Sequence, residues 1–521
     1  MVKKPSGIDE RLEQLRPPIF RGQPNTASER YLARLAEKSF LNLWSYVSPY
    51  RAQKQNGKGD GKELCDLLVV CGNNVIIFSE KTVAWSNGDL ATAWCRWAKK
   101  GIRNSAAQIR GAERWILDYP ERVFVDRECK VAFPITFPGR NECKIHRVVV
   151  ANGAIKVCRE YFGGGLGSLV IKPSIHGDKH WQNEDGNVQP FYVGDIDQHG
   201  PFVHVFNESA LDIVLHELDT VTDFTEYLAK KEAFVRSGKL LEAHGEENLV
   251  AYYAINVNDE GDHDFVVEQS DIPISIDRSR YEQFTIDPRY IARRRADEIS
   301  YLWDKLIESF TIHMLGGTSV TPAGFNFDLR ESELGVRFMA LAPRFVRRSH
   351  GEAIAGALQK SRETDRFFRT MMSREAAKDS ETAFFIQTMK YQDWMEGEGG
   401  YEQYRRVRMN SSIIYARGLL ERFSYLKRVV GISREALGQE HGVSGDLLYA
   451  EQANWTDAQR TDIKNDCART GLLQNISMRN WDGKEFPDVE VIEIDRPDRR
   501  PQHFGLNRHQ RRALNAGKRK K

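Results

Sequence analysis

The sequence predicts an α/β (α+β) fold that opens with a helix, a strand hairpin, a helix and a further strand. Three observations lead there. Apolar residues recur at helical spacing in "NTASERYLARLAEKSFLNLWSYV", at positions 32, 35, 36, 40 and 43. Two short apolar runs meet at a tight polar turn in "ELCDLLVVCGNNVIIFSEK", residues 63–81. "KIHRVVVA" (144–151) is a β-branched run that reads as a buried strand.

At 521 residues the chain is too long for one ordinary core, which predicts two to four domains. It is 41% hydrophobic and 28% charged, a globular composition, and no apolar run approaches the ~20 residues of a membrane helix. The start has positive charge but no apolar segment behind it, so no signal peptide is expected. Seven cysteines (65, 71, 95, 129, 143, 158 and 467) form no CxxC pair. That excludes a zinc ribbon or disulfide framework and predicts reduced thiols in a cytoplasm. There is no internal repeat. Net charge is +2, but the segment from Arg496 to Lys521 carries +9, so the remainder sums to −7. A tail of this kind adheres to polyanions or is a solvated end.

The expected organisation is an irregular leader (1–25), a first domain (26–155), an α+β region that divides into one or two domains (156–495) and the basic tail (496–521). Thr26 or Ser28 caps the first helix, and a Gly- and Lys-rich loop precedes the hairpin. A second helical region covers roughly 89–117. Short strands are expected at 191–197, 202–206, 250–256 and 264–268, around a long helix that begins after Asn207. Residues 289–315 and 351–425 read as mainly helical, with a strand in "GVRFMALAP" between them. Two motifs are set aside. "YFGGGLGSL" lacks the Lys-Ser/Thr of a phosphate loop, and "HELDT" has Thr220 where a zinc-protease motif needs its second histidine.

The hairpin is where the chemistry gathers. Phosphodiester cleavage needs a divalent cation to stabilise charge on phosphate and to acidify water, with a protein cation near the attacking oxygen. Hard Mg²⁺ takes carboxylates, carbonyls and water. Residues two apart on a strand share a face, so Asp66 on one strand and an acid-x-Lys on the next would converge.

Here residues 26–150 resemble the PD-(D/E)xK nuclease superfamily, the restriction-endonuclease-like fold. The likeness rests on the element order, on Asp66 as the family's first acid and on Lys81 as its lysine. It implies a metal-dependent nuclease using Mg²⁺ or Mn²⁺. Asp66 and a second acid would hold the metal, Lys81 would orient or deprotonate water, Glu37 on the first helix would be a further metal ligand, and Gln108 on the following helix would lend support. The departure is Ser79, which stands where the second acid belongs. With a turn at Gly72-Asn73 or Asn73-Asn74, Glu80 points to the other face. A one-residue β-bulge near Ser79 would bring Glu80 round to Asp66. An unpaired Glu80 buried on the far side would be costly, so Glu80 is expected as the relocated acid.

Nucleic acid is the expected partner. Arg96, Lys99, Lys100 and Arg103 stand among Trp94 and Trp97 on the helix after the hairpin, Arg511 and Arg512 lie in the tail, and "RFVRR" (344–348) and "YRRVR" (404–408) are further basic stretches. The rest of the chain loosely resembles uncharacterised bacterial proteins that join such a domain to a long α/β region. By class, that implies restriction of foreign DNA. Two alternatives stay open: a degenerate fold that binds nucleic acid without cutting it, and a regulatory protein whose residues 160–495 engage a protein partner or a second copy.

Overall fold

A computed structural model describes residues 18–489 except 25, 54–60, 183–187, 268–271, 321–328, 376, 378–379, 440–443 and 475. The tail 496–521, with Arg511 and Arg512, lies outside the described residues. The chain is mixed α+β with several sheets, and among the described residues no helix is long and apolar enough to cross a membrane.

Helix α1 (Ala27–Phe40) starts where the sequence says it should. Thr26 Oγ1 accepts the Glu29 N–H at 3.1 Å, and Glu29 Oε2 accepts the Thr26 N–H at 3.3 Å, a capping box. Its apolar stripe buries Leu32, Ala36 and Phe40. Three antiparallel strands follow: β1 (Ser45–Val47), β2 (Leu67–Cys71) and β3 (Asn74–Thr82). Cys71 pairs with Asn74, so the turn is Gly72-Asn73. Gly72 sits at φ +60°, the positive φ that a II′ turn demands at its first central position.

The second helical region is one continuous rod with a defect. α2 (Leu90–Ala98) runs through a π-helical turn (Lys99–Arg103) into α3 (Asn104–Asp118). Trp94 and Trp97 are core residues, with their indole N–H groups donating to the His180 and Asn152 carbonyls. The rod returns the chain to β4 (Lys144–Asn152), which pairs in parallel with β3 over its whole length. The sheet continues past residue 155: β5 (His204–Phe206) adds in parallel to β4, giving the order β1-β2-β3-β4-β5.

The expected long helix after Asn207 is two, α4 (Glu208–Glu217) and α5 (Val221–Arg236), because Thr220 caps the second through the Asp223 N–H. Residues 250–256 are not a strand. They fall in α6 (Glu246–Ile255), apart from Asn256. Residues 264–267 form no strand, and "GVRFMALAP" is helical through Ala340, within Leu329–Ala340. A small sheet of four strands includes Val170–Ile171 and Tyr192–Val193, within the stretch expected at 191–197.

The region expected to be mainly helical holds a second hairpin. After α7 (Tyr301–Leu315) and α8 (Arg344–Lys360) come β6 (Arg366–Met372) and β7 (Thr382–Met389), antiparallel to one another. Then α9 (Gly400–Arg422) crosses over to β8 (Arg428–Glu435), parallel to β7, and β9 (Gly445–Glu451) closes the sheet.

One apolar core spans both sheets, with Phe40, Phe78 and Phe224 near one end and Trp303 and Phe384 near the other. Trp44 Nε1 donates to Glu333 Oε1 at 2.8 Å, and a Cβ at Gly72 would meet Leu341 at 3.3 Å. The two basic stretches at 344–348 and 404–408 are largely internal. Arg344 and Arg347 bind Asp304, Arg348 binds Asp297, and Arg405 and Arg408 bind Asp446. Buried guanidinium groups need such partners, so these five arginines are committed to the fold.

Candidate active site

The open end of the β2–β3 hairpin is the candidate site. Asp66 precedes β2 and stands beside Ser79 and Glu80. Its N–H donates to the Phe78 carbonyl at 3.1 Å, and its Oδ2 accepts the Glu80 N–H at 2.8 Å. The half-buried carboxylate thus serves as an acceptor where the strand ladder ends. Burial raises its pKa, while the Glu80 N–H, the Ser79 hydroxyl and the charge of Lys81 oppose the rise.

Strand periodicity decides which way the rest of β3 faces. Phe78 packs between Phe40 of α1 at 6.1 Å and Phe224 of α5 at 6.4 Å, so the even-numbered residues face those helices. Ser79 faces the other way, and its hydroxyl donates to Gln108 Oε1 on α3 at 3.3 Å. The expected support residues are therefore together. Lys81, two residues on, is exposed at the strand end, and its charge lowers the pKa of both Asp66 and Glu63.

The bulge expected near Ser79 is not formed. β3 pairs in regular register with β4 from Asn74 to Thr82, through Ser79 and Glu80, while its pairing with β2 ends at Phe78. Glu80 therefore stays on the α1 face. The cost foreseen for burying it there is met by donors: Asn152 Nδ2 at 2.9 Å and Thr82 Oγ1 at 2.7 Å both bond its Oε1. Asn152 in turn accepts the Glu208 N–H at the start of α4. Glu37 is likewise turned to structural use. It pairs with Arg21 at 3.4 Å, and Arg21 also binds Asn42 and the Ser45 carbonyl.

Sequence reasoning missed Glu63. The Lys62–Glu63 strand pairs with Tyr50–Arg51, and Ser48 N–H donates to the Asp66 carbonyl at 3.0 Å, so the chain folds Glu63 back toward Asp66. Burial and then the Asp66 charge raise the Glu63 pKa. The signal was present, since an acid three residues ahead of Asp66 opens the same stretch.

Among the described residues no three of His, Cys, Asp and Glu are grouped so as to hold a metal ion. A cation such as Mg²⁺ needs only one or two carboxylates and keeps several waters. Arg96, Lys99, Lys100 and Arg103 are all exposed on the α2–α3 rod. No protein-family model matches the chain, and neither a curated protein nor a solved structure is similar to it.

Proposed function

We propose that the chain is a metal-dependent nuclease that hydrolyses phosphodiester bonds of DNA or RNA at the open end of the β2–β3 hairpin, acting in bacterial defence against foreign nucleic acid. The observation that carries this reading is the Asp66 carboxylate, half-buried and raised in pKa, with the exposed cation of Lys81 acting on it. A carboxylate perturbed by desolvation beside a specific charge partner is a candidate functional site. The succession α1, β2–β3, α3, β4 also supports it.

Mg²⁺ or Mn²⁺ would be held by Asp66, with Glu63 as the second carboxylate, and would supply charge stabilisation and an acidified water. Lys81 would orient the attacking water or draw off its proton. Ser79 would stand between Asp66 and Gln108, its single hydroxyl proton serving one of the two acceptors at a time. Glu80 and Glu37 would act on the frame, through Asn152 and Arg21.

One observation favours a second reading, binding without cleavage: the acid is missing at position 79, and Glu80 is satisfied on the far face. The experiment that separates the two is incubation with plasmid, single-stranded DNA and RNA, in Mg²⁺ or in EDTA. Cleavage that needs Mg²⁺ and falls at least ~100-fold in Lys81→Ala supports the nuclease. Cleavage that persists in EDTA, or that Lys81→Ala leaves intact, sinks it.

A further inference from the structure

Segments 172–182 and 188–200 lie against the α2–α3 rod and leave an open cleft of about 550 Å³ beside it. Its charged lining includes Arg103, Arg110, His176, Lys179, Asp178 and Asp197. The two acids are already engaged. Asp197 Oδ2 accepts from Arg110 Nη1 at 2.9 Å, and Asp178 Oδ1 accepts from Trp181 Nε1 at 2.8 Å. Arg103 and Lys179 are exposed and form no ion pair with a described residue. Among the described residues the Lys179 ammonium has only His176 Nε2, at 3.0 Å. Arg110 neutralises Asp197, whereas the Trp181 indole leaves the Asp178 charge in place, so Arg103 and Lys179 give the concave lining one positive charge in excess, where low-dielectric walls focus it.

The cleft is built in advance. Gly177 N–H donates to the Asp195 carbonyl at 3.0 Å, and Arg236 Nε holds the Asp195 carboxylate at 2.7 Å. Gly194 N–H donates to the buried His180 at 3.0 Å. Cations presented on a fixed frame lose little entropy on binding. On the other wall, the π-helical turn ends at Arg103, and such turns recur at functional sites.

The location separates it from the candidate active site. Arg103 and Arg110 are seven residues apart and share a flank of the rod, whereas Gln108 lies on the opposite flank. The helix itself, ~10–12 Å across with its side chains, stands between them. Sites for small molecules are enclosed and mostly apolar, while this one is open and charged, which suits a polymer backbone. We propose that the cleft binds phosphate groups of a nucleic-acid strand at a contact distinct from the Asp66–Lys81 end. The choice of polyanion rests on the nuclease reading; the binding itself does not.

The test is fluorescence anisotropy of a labelled single strand of about 20 nucleotides, in EDTA so that nothing is cut. The full chain is compared with Arg103→Ala/Lys179→Ala and with Asp66→Asn. Both cleft residues are exposed, and thermal melting checks that the double variant is folded. The expected result is a Kd raised about tenfold at ~50 mM salt, with the slope of log K against log salt shallower by roughly 1.4 for two lost phosphate contacts. An unchanged Kd and slope, or no oligonucleotide binding by the parent chain, overturns the proposal. A second arm adds inorganic phosphate or ATP as competitor. Saturation of the cleft by either at micromolar concentration, with no displacement by the oligonucleotide, assigns it to a small phosphorylated ligand and also overturns the proposal. Asp66→Asn should bind like the parent and lose Mg²⁺-dependent cleavage. If it still cleaves, the nuclease reading fails while the cleft result stands.

Discussion

The chain twice lays down a helix, an antiparallel hairpin, a crossover helix and a strand parallel to the hairpin's second strand. The first set is α1, β2–β3, α3 and β4; the second is α8, β6–β7, α9 and β8. On β7, Phe385 contacts Tyr415 of α9 at 5.0 Å, so its odd-numbered residues face the crossover helix as Ser79 does on β3. Gln387 and Met389 then occupy the places of Ser79 and Lys81. Gln387 is sealed: its Oε1 accepts from the Ser412 and Ser433 hydroxyls, and all three are buried. Met389 is buried with Met395 and Tyr404. At these two positions one frame is thus buried and apolar or hydrogen-bonded, while the other presents a hydroxyl and an exposed lysine that forms no ion pair with a described residue. The second hairpin also has a charged open end, but its acid and lysine neutralise one another: Asp365, just before β6, pairs with Lys390, just after β7, at 3.6 Å. An acid and a lysine that the fold does not spend on one another are the ones to suspect of chemistry.

The largest expected effect pairs equivalent positions. Lys81→Ala should cut cleavage at least ~100-fold and leave thermal stability unchanged. Met389→Ala should do the reverse, lowering stability by about 2–5 kcal/mol through the cavity it leaves, with the folded fraction cleaving normally. Calorimetry and a cleavage assay on both variants read this out. A loss of activity per folded molecule in Met389→Ala would break the contrast.

A smaller effect concerns Asp66. Its pKa is raised in the folded chain, so it favours folding when protonated, and that contribution is lost as pH rises through the folded value. Asp66→Asn keeps an acceptor for the Glu80 N–H and removes the charge. Its melting temperature should exceed the parent's at pH 7, and the gap should close below the ordinary aspartate value of 3.8. Gln387, neutral and satisfied, has no such dependence to remove. Equal melting temperatures at both pH values would mean that Asp66 is no stored cost.

The smallest effect lies outside both hairpins. A chain ending at Asp495 loses +9 and leaves a body of −7. It should keep its Mg²⁺-dependent chemistry, bind nucleic acid more weakly and show a shallower salt dependence. An unchanged slope would place the binding surface wholly on the folded part.

Much of the first hairpin was legible because its signals are local. Gly-Asn chemistry marks the turn, and a Thr-x-x-Glu box marks the start of α1. The second hairpin was hidden because β6 and β7 are joined through "SREAAKDSE", which has helix-forming residues and no turn dipeptide. "GVRFMALAP" reads as a strand by its apolar content, and packing against β9 makes it helical. In the site, Asp66 and Lys81 are fixed by position along the strand. The direction of Glu80 depended on whether the ladder carries a bulge, and its cost depended on Asn152, 72 residues away. No local pattern encodes either.

The turn at Gly72 abuts Leu341, and Trp44 reaches across to Glu333, so the first hairpin is anchored by a helix nearly 300 residues downstream. Such anchoring makes the two sheets a single cooperative unit in unfolding. Heating should give one endotherm whose calorimetric and van't Hoff enthalpies agree, and a fragment ended near residue 155 would expose the face that Leu341 and Glu333 now cover. The first hairpin borrows its rigidity from the far half of the chain.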